Sequence, residues 1–166
     1  MKVVLVGYNC SGKSFFSERL SSALQIPILH IDDVYYEYCS THKVERRPED
    51  VKKDVISFIE TNDSWVMDGG YDYTGLYECC DAADRIVFMK INRFSRLVNL
   101  FKRCNTYKSL LTKAHRVCRS LPWLLHYGCG RKYDASNYAS LVSFPDKVVV
   151  FRTVPEAQHY FDMLTN

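Results

Sequence analysis

The chain has 166 residues, enough for one α/β domain with a properly buried core. Its apolar fraction of 47% and charged fraction of 25% are ordinary for a globular protein. A net charge of +3 tolerates anionic ligands, but no dense block of Lys and Arg gives a strong signal for a nucleic-acid partner. The longest apolar runs have the length of strands and the N-terminus enters a strand directly. We therefore expect no membrane span, no signal peptide and a cytoplasmic location.

The first predicted element is a buried strand over residues 3–6, followed by the stretch GYNCSGKS at residues 7–14. This stretch fits G-x-x-x-x-G-K-[ST], the P-loop pattern, in which glycines allow a sharp turn and a close approach of backbone to phosphate. Lys13 supplies a charge for the β- and γ-phosphates of ATP, and the Ser14 hydroxyl supplies a ligand for Mg²⁺. The following helix directs its N-terminal N–H groups at the anion. The expected nucleotide-binding residues here are Gly7, Tyr8, Asn9, Cys10, Ser11, Gly12, Lys13, Ser14 and Phe15.

Strands and helices alternate along the rest of the chain. The apolar patterns predict strands over residues 28–31, 65–67, 86–89 and 147–151. Helices are predicted over about residues 50–60 and 92–107, and a last helix begins at Pro155. No repeat or linker divides the chain, so these elements predict one α/β domain with a parallel sheet covered by helices on both faces. In such a sheet ligands gather at the carboxyl ends of the strands.

Carboxylates follow two of the predicted strands. Asp68 ends the third strand, as in the Walker B arrangement, where the carboxylate orients Mg²⁺ and its waters. Asp32 and Asp33 follow the second strand. We interpret Asp32 as the group that positions or deprotonates the acceptor or contacts a Mg²⁺-bound water. The alternative for this pair is a turn or a helix N-cap.

Arginines recur after the fourth predicted strand. Arg96 and Arg103 share a helix face, and we expect them to stabilise charge during phosphoryl transfer. Arg116, Arg119 and Arg131 follow in a segment that resembles a lid, although any single arginine can simply solvate a surface. Arg46 and Arg47 lie nearer the second strand and could bind an anionic group of the acceptor or cover a helix start. Tyr35, Tyr36 and Tyr38 precede them, as an aromatic wall or as an edge of the core.

Seven cysteines are scattered, odd in number and without a C-x-x-C pair, which favours reduced structural thiols over metal sites or disulfides. Two interpretations of Cys10 remain open. A helix N-terminus and Lys13 would stabilise its thiolate and expose it to oxidative inactivation, or Cys10 is a small loop residue without consequence.

The order of these motifs resembles the DNA topology modulation protein family, a branch of the adenylate-kinase-like P-loop kinases. The resemblance rests on the P-loop, ILHIDD, SWVMDGGY, INRFSRLVNLFKR and KVVVFRTVPEA, and it covers nearly the whole chain. It implies a five-stranded parallel sheet of order 2-3-1-4-5, an acceptor-binding insertion over about residues 34–64 and a lid over about residues 104–140. By analogy, adenine would lie beside the loop after the last strand, near Arg152; the alternative for Arg152 is a solvated strand end.

The leading hypothesis is an ATP- and Mg²⁺-dependent kinase that acts on a nucleotide or another small hydroxylated or phosphorylated acceptor. The alternative is a nucleotide-binding regulator without acceptor turnover, with an effect on DNA topology or gene expression. A GTPase switch is disfavoured because MKINRF, and not N-K-x-D, follows the fourth strand. Either a monomer or a homodimer is compatible with the sequence.

Overall fold

Five parallel strands form the central sheet in the computed structural model of the chain. It describes residues 1–39, 42–105 and 139–165, together with residues 109, 114, 117, 118, 120 and 121. The strands in chain order are β1 (Lys2–Gly7), β2 (Ile28–His30), β3 (Tyr36–Cys39), β4 (His42–Glu45), β5 (Trp65–Asp68), β6 (Arg85–Met89) and β7 (Val148–Phe151). The main sheet has the order β2-β5-β1-β6-β7, and all its neighbours are parallel. Counting only these five strands, the order is 2-3-1-4-5, so the predicted P-loop kinase topology is confirmed.

Helices cover both faces of this sheet. They are α1 (Lys13–Leu24), α2 (Ile31–Tyr35), α3 (Pro48–Thr61), α4 (Leu76–Ala82), α5 (Arg93–Asn105) and α6 (Val154–Thr165). Short 3₁₀ turns occupy Asp72–Thr74, Ala139–Ser143 and Pro145–Lys147. In the described part of the chain, no helix is both long and apolar enough to cross a membrane.

The central strand β1 shows why the sheet needs two helical layers. Val3 and Leu5 pack with residues of α1 and α6, whereas Val4 and Val6 pack with residues of α3 and α4. All four of these side chains are fully buried. Because successive strand side chains point to opposite faces, a strand buried on both faces is a continuous apolar run, as residues 3–6 are.

The region after β2 differs in detail from the prediction. The strand was expected to continue to residue 31, but it ends at His30, and Asp32 and Asp33 lie in the first turn of the short helix α2. Residues 34–64 then contain the antiparallel hairpin β3–β4 and the helix α3. The proposed lid over residues 104–140 lies almost entirely outside the described residues, and Arg116, Arg119 and Arg131 are among those not described.

Candidate functional site

The P-loop leaves the carboxyl end of β1 through two glycines with positive φ. Gly7 has a φ of 140°, and a Cβ at this position would lie 2.5 Å from the carbonyl oxygen of Met89 on the neighbouring strand. The Tyr8 N–H donates to that same carbonyl at 3.3 Å. Gly12, with a φ of 95°, is the residue from which α1 begins. Glycine is therefore required where the loop leaves β1 beside β6, and the positive φ favours glycine where the loop enters α1.

Lys13 lies folded onto this loop. Its Nζ donates to the carbonyl oxygens of Gly7 at 3.0 Å and Tyr8 at 3.1 Å. Burial lowers the pKa of the Lys13 ammonium, against the nearby carboxylates of Asp68 and Asp32, which raise it. The structure thus brings the predicted phosphate-binding lysine together with both predicted carboxylates.

The side chains at the helical end of the loop differ in their exposure to solvent. Ser14 is exposed at the start of α1, and its carbonyl accepts a hydrogen bond from Ser17 Oγ. Phe15 is 61% exposed, with its ring edge against Phe16. Ser11 is fully buried, and its hydroxyl has no hydrogen-bond partner among the described residues. Ser14 and Phe15 are therefore the accessible side chains at this end of the P-loop.

Asp68 ends β5 beside His30, which ends β2. The two residues are register partners in the parallel ladder, and His30 Nδ1 lies 3.0 Å from Asp68 Oδ2. Asp68 is buried, and its other carboxylate oxygen, Oδ1, has no hydrogen-bond partner in the described part of the chain. From the sequence alone, His30 is interpreted as a residue that packs within its strand, because the contact with Asp68 becomes visible only when β2 is placed beside β5.

The residues present fit a magnesium ion at this edge of the sheet. Mg²⁺ prefers oxygen ligands, keeps several waters and is usually held by one or two carboxylates plus substrate phosphates. Asp68 Oδ1 is an orphaned carboxylate oxygen near Lys13, and the exposed Ser14 offers a hydroxyl. Among the described residues, no group of three or more His, Cys, Asp or Glu side chains could hold a metal by itself. A protein-only cage is therefore not formed there, whereas a site completed by phosphates and water is compatible.

The region after β2 carries exposed acids and a cluster of tyrosines. Asp32 and Asp33 are exposed on α2. Tyr35 is buried and donates to Glu45 at 3.0 Å, and its pKa is raised by burial and by this hydrogen bond. Its ring contacts Tyr36 and Tyr73, and Tyr73 stacks in turn on Tyr71. The aromatic residues that follow β2 thus contact those that follow β5, through the rings of Tyr35 and Tyr73.

Arg46 contacts other residues of the region 34–64. Its Nη1 lies 2.7 Å from Asp54 Oδ2 and donates to the carbonyl of Val34 at 3.0 Å, and its Nε lies 3.4 Å from Glu37. Arg47 is 80% exposed and pairs with Asp50 one turn into α3. The structure therefore ties Arg46 to the hairpin and to α3, and places Arg47 at a helix start.

Helix α5 contacts the P-loop through its polar side chains. Arg96 is fully buried, its Nε donates to the carbonyl of Asn9 at 2.9 Å, and its guanidinium lies over the Tyr8 ring at 4.9 Å. Asn99 Nδ2 donates to the carbonyl of Cys10 at 3.1 Å. Arg103, the other arginine expected to be catalytic, is exposed. Asn99 was not singled out from the sequence.

Cys10 has a left-handed backbone conformation, with a φ of 61°. Burial raises the pKa of its thiol, and this outweighs the nearby positive charges of Arg103, Arg96 and Lys13, which lower it. The expectation that the loop would stabilise a Cys10 thiolate is therefore wrong in direction. Burial also raises the pKa of Cys80 to about 12, as befits the structural thiols expected elsewhere in the chain.

Arg152 follows β7 at the carboxyl edge of the sheet and is exposed. Its N–H donates to Glu156 at 3.1 Å, and its carbonyl accepts from the N–H of Asn92, which precedes α5. The loop after the last strand is thereby linked to the start of α5, on the same edge as the P-loop.

Comparison with known proteins gives no family assignment. No protein-family model matches the chain, and no curated protein matches it. The resemblance to the DNA topology modulation protein family and to the adenylate-kinase-like group therefore stays a prediction.

Solved structures match at low identity. A shikimate kinase from Aquifex aeolicus vf5 is 18% identical over 72% of this chain and 82% of its own, with a TM-score of 0.44. A shikimate kinase from Acinetobacter baumannii, in complex with shikimate, is 12% identical over 75% and 78%, with a TM-score of 0.43. A deoxyadenosine kinase from M. mycoides is 12% identical over 100% and 97%, with a TM-score of 0.47. Likenesses of this size say nothing about the substrate of this chain.

Proposed function

We propose that this chain is an ATP- and Mg²⁺-dependent phosphotransferase that acts on a nucleotide or another small hydroxylated or phosphorylated acceptor. The observation that carries the proposal is the gathering of Lys13, Asp68 and Asp32 at the carboxyl edge of a sheet with P-loop kinase order. Phosphoryl transfer needs a cradle for phosphates, a metal-orienting carboxylate and a group directed at the acceptor. The three residues match these needs in type and in place.

On the donor side, Lys13 leaves the carbonyls of Gly7 and Tyr8 to bind the phosphates of ATP. The backbone N–H groups at the start of α1 add a positive dipole end for the same anion. Ser14 and Asp68 would hold Mg²⁺, which when bound neutralises charge on the β- and γ-phosphates. The adenine would lie near the exposed Arg152, at the loop linked to the start of α5.

On the acceptor side, Asp32 positions the attacking hydroxyl and accepts its proton as the phosphoryl group arrives. Its exposure and its electrostatic interaction with Lys13 support this role, since both a donor phosphate and an acceptor must reach it. The insertion over residues 34–64 supplies specificity in this proposal. Arg103 stabilises charge that spreads over the transferred phosphoryl oxygens.

The test is ADP release from MgATP with a panel of nucleoside monophosphates, nucleosides and small hydroxylated metabolites. The Lys13→Ala variant serves as the blank, because it lacks the phosphate-binding charge. An acceptor that raises ADP release well above this blank would establish the kinase and its substrate class. Tight ATP binding with no response to any member of the panel would reject the kinase in favour of a nucleotide-binding regulator.

A further inference from the structure

Four successive carbonyl groups of the P-loop, those of residues 7–10, accept hydrogen bonds from other parts of the protein. Lys13 donates to the carbonyls of Gly7 and Tyr8, and Tyr8 also accepts from the Ser11 N–H at 3.2 Å. The next two carbonyls accept instead from helix α5, through the Arg96 and Asn99 contacts described above. Two different elements thus divide four successive carbonyls between them.

These bonds set the direction of the loop amides. In a trans peptide the C=O and the N–H groups point in opposite directions. When Arg96 holds the Asn9 carbonyl, the N–H of Cys10 is turned the other way. When Asn99 holds the Cys10 carbonyl, the N–H of Ser11 is turned inward, where it donates to Tyr8. A phosphate-binding loop depends on such fixed N–H directions, because successive amides form the anion-binding concavity.

The burial of Arg96 suits this role better than direct contact with substrate. Its side chain is fully buried, its Nε donates to the Asn9 carbonyl, and its guanidinium lies over the Tyr8 ring. A charged group is buried at a cost that only good hydrogen bonds and aromatic contact offset. The hydrogen bond from Nε and the contact with the Tyr8 ring are both made with the P-loop, so this buried charge helps to hold the loop.

The backbone of Cys10 gives the second reason for such a clamp. A non-glycine residue in the left-handed region is strained by roughly 1 kcal/mol or more and persists only when its surroundings fix it. The Asn99 contact is a hydrogen bond to the carbonyl of this strained residue. Without it, the loop would gain freedom to relax into conformations whose amides no longer converge.

We propose that Arg96 and Asn99 are positioning residues that preorganise the P-loop for the phosphates of a nucleoside triphosphate. The inference rests on the proposed function, since it gives the loop its phosphate ligand. It assigns to Arg96 a role that acts through the loop backbone, in place of the transition-state role expected from its sequence position. It also adds Asn99 to the functional residues.

The experiment measures binding of ATP and of inorganic tripolyphosphate by isothermal titration, which needs no acceptor. The variants are Asn99→Ala, which removes the amide donor, and Arg96→Lys, which keeps the charge but loses the planar donor group. Asn105→Ala, at an exposed position of the same helix, and Arg85→Gln, at the opposite end of the sheet, are the matched controls. Thermal unfolding is recorded for each protein, and binding is measured well below every unfolding midpoint.

We expect Asn99→Ala and Arg96→Lys each to raise the Kd for both ligands roughly tenfold, as for the loss of one hydrogen bond to a preorganised group. The same factor for ATP and tripolyphosphate would place the defect in the phosphate cradle, and the controls should bind as wild type does. Unchanged Kd values in both variants would overturn the inference, even if their unfolding midpoints fell. So would Arg96→Lys binding as wild type while losing turnover, because Arg96 would then act on the reaction itself.

Failure of the proposed function has a different signature. A wild-type protein that binds neither ATP nor tripolyphosphate would overturn the proposed function and the inference together. Wild-type binding with equal binding by both variants would overturn the inference alone. Asn99 is only half-buried, so its truncation to Ala tests the clamp even if Arg96→Lys does not fold.

Discussion

His30 and Asp68 end neighbouring parallel strands as direct register partners, with Nδ1 and Oδ2 3.0 Å apart. The carboxylate is buried: one oxygen contacts the imidazole, and the other has no hydrogen-bond partner among the described residues. If Asp68 is the magnesium ligand of the proposed function, a carboxylate fixed in this way does not need to be ordered when the metal binds. The ladder between β2 and β5 would then contribute to the proposed chemistry as well as to the sheet.

Removing the His30 contact should weaken the binding of Mg²⁺. We expect His30→Ala to raise the Mg²⁺ concentration needed for half-maximal ATP binding by at least about tenfold, the usual cost of losing an outer-shell partner. Asn at this position can still donate from a nitrogen placed like Nδ1, so His30→Asn should recover part of the affinity. The measurement is a Mg²⁺ titration at fixed ATP. Equal behaviour of the Ala and Asn variants would show that the hydrogen bond is not what orders Asp68.

Lys13 is expected to matter for phosphoryl transfer and not for stability, because burial disfavours its charge in the loop. Lys13→Ala should lower phosphoryl transfer at least about a hundredfold, as for the loss of a preorganised positive group. Burial lowers the pKa of Lys13, so the folded state disfavours its charged form, and the variant should unfold at no lower temperature than wild type. ADP release and thermal unfolding check the two parts. Lys53→Ala, at an exposed position of α3, is the control that should change neither.

The sheet and the P-loop could be predicted because each has a signal within a short stretch of sequence. A strand buried on both faces is a continuous apolar run, and the P-loop has fixed glycine positions. The His30 contact could not be predicted, since it depends on the register of β2 against β5. The hairpin β3–β4 is a local pairing, but it was missed because positions 40–41 between its strands are Ser and Thr and lack the glycine or asparagine signal of a two-residue hairpin turn.

Helix α5 shows a different limit of sequence analysis. Its periodicity places Arg96 and Arg103 on one face, but seven residues separate them by about 10 Å along the axis. The P-loop lies against the first of these positions, so Arg96 is buried and Arg103 is exposed. Periodicity identifies a face of a helix and does not tell which part of that face another loop covers.

Cys10 should react slowly with thiol reagents near neutral pH. Burial raises the pKa of its thiol, so at pH 8 its thiolate fraction is smaller than that of a free cysteine, and this fraction increases as the pH rises further. Iodoacetamide labelling followed by peptide mass spectrometry should therefore modify the exposed Cys118 well before Cys10. Bound ATP should slow the Cys10 reaction further. Labelling of Cys10 that is as fast as that of Cys118, or unaffected by ATP, would contradict the burial of Cys10 at the phosphate site.

Substitution of Gly7 by alanine tests whether the P-loop requires the close approach of Gly7 to strand β6. A Cβ at Gly7 would lie 2.5 Å from the Met89 carbonyl oxygen, a backbone atom that cannot move without breaking the β1–β6 ladder. Gly69 also has a positive φ, of 89°, but its nearest neighbour would be Ile31 Cβ at 3.8 Å.

Comparing alanine variants of the two glycines therefore distinguishes the cost of a steric clash from the cost of backbone strain. Strain alone costs about 1–3 kcal/mol, so Gly69→Ala should lower the free energy of unfolding within that range. Gly7→Ala adds the clash and should cost at least about 2 kcal/mol more. Urea denaturation of both variants gives the comparison. Equal losses would mean that β1 and β6 separate easily at their carboxyl ends, and the loop would then need another element to fix its entry from the sheet.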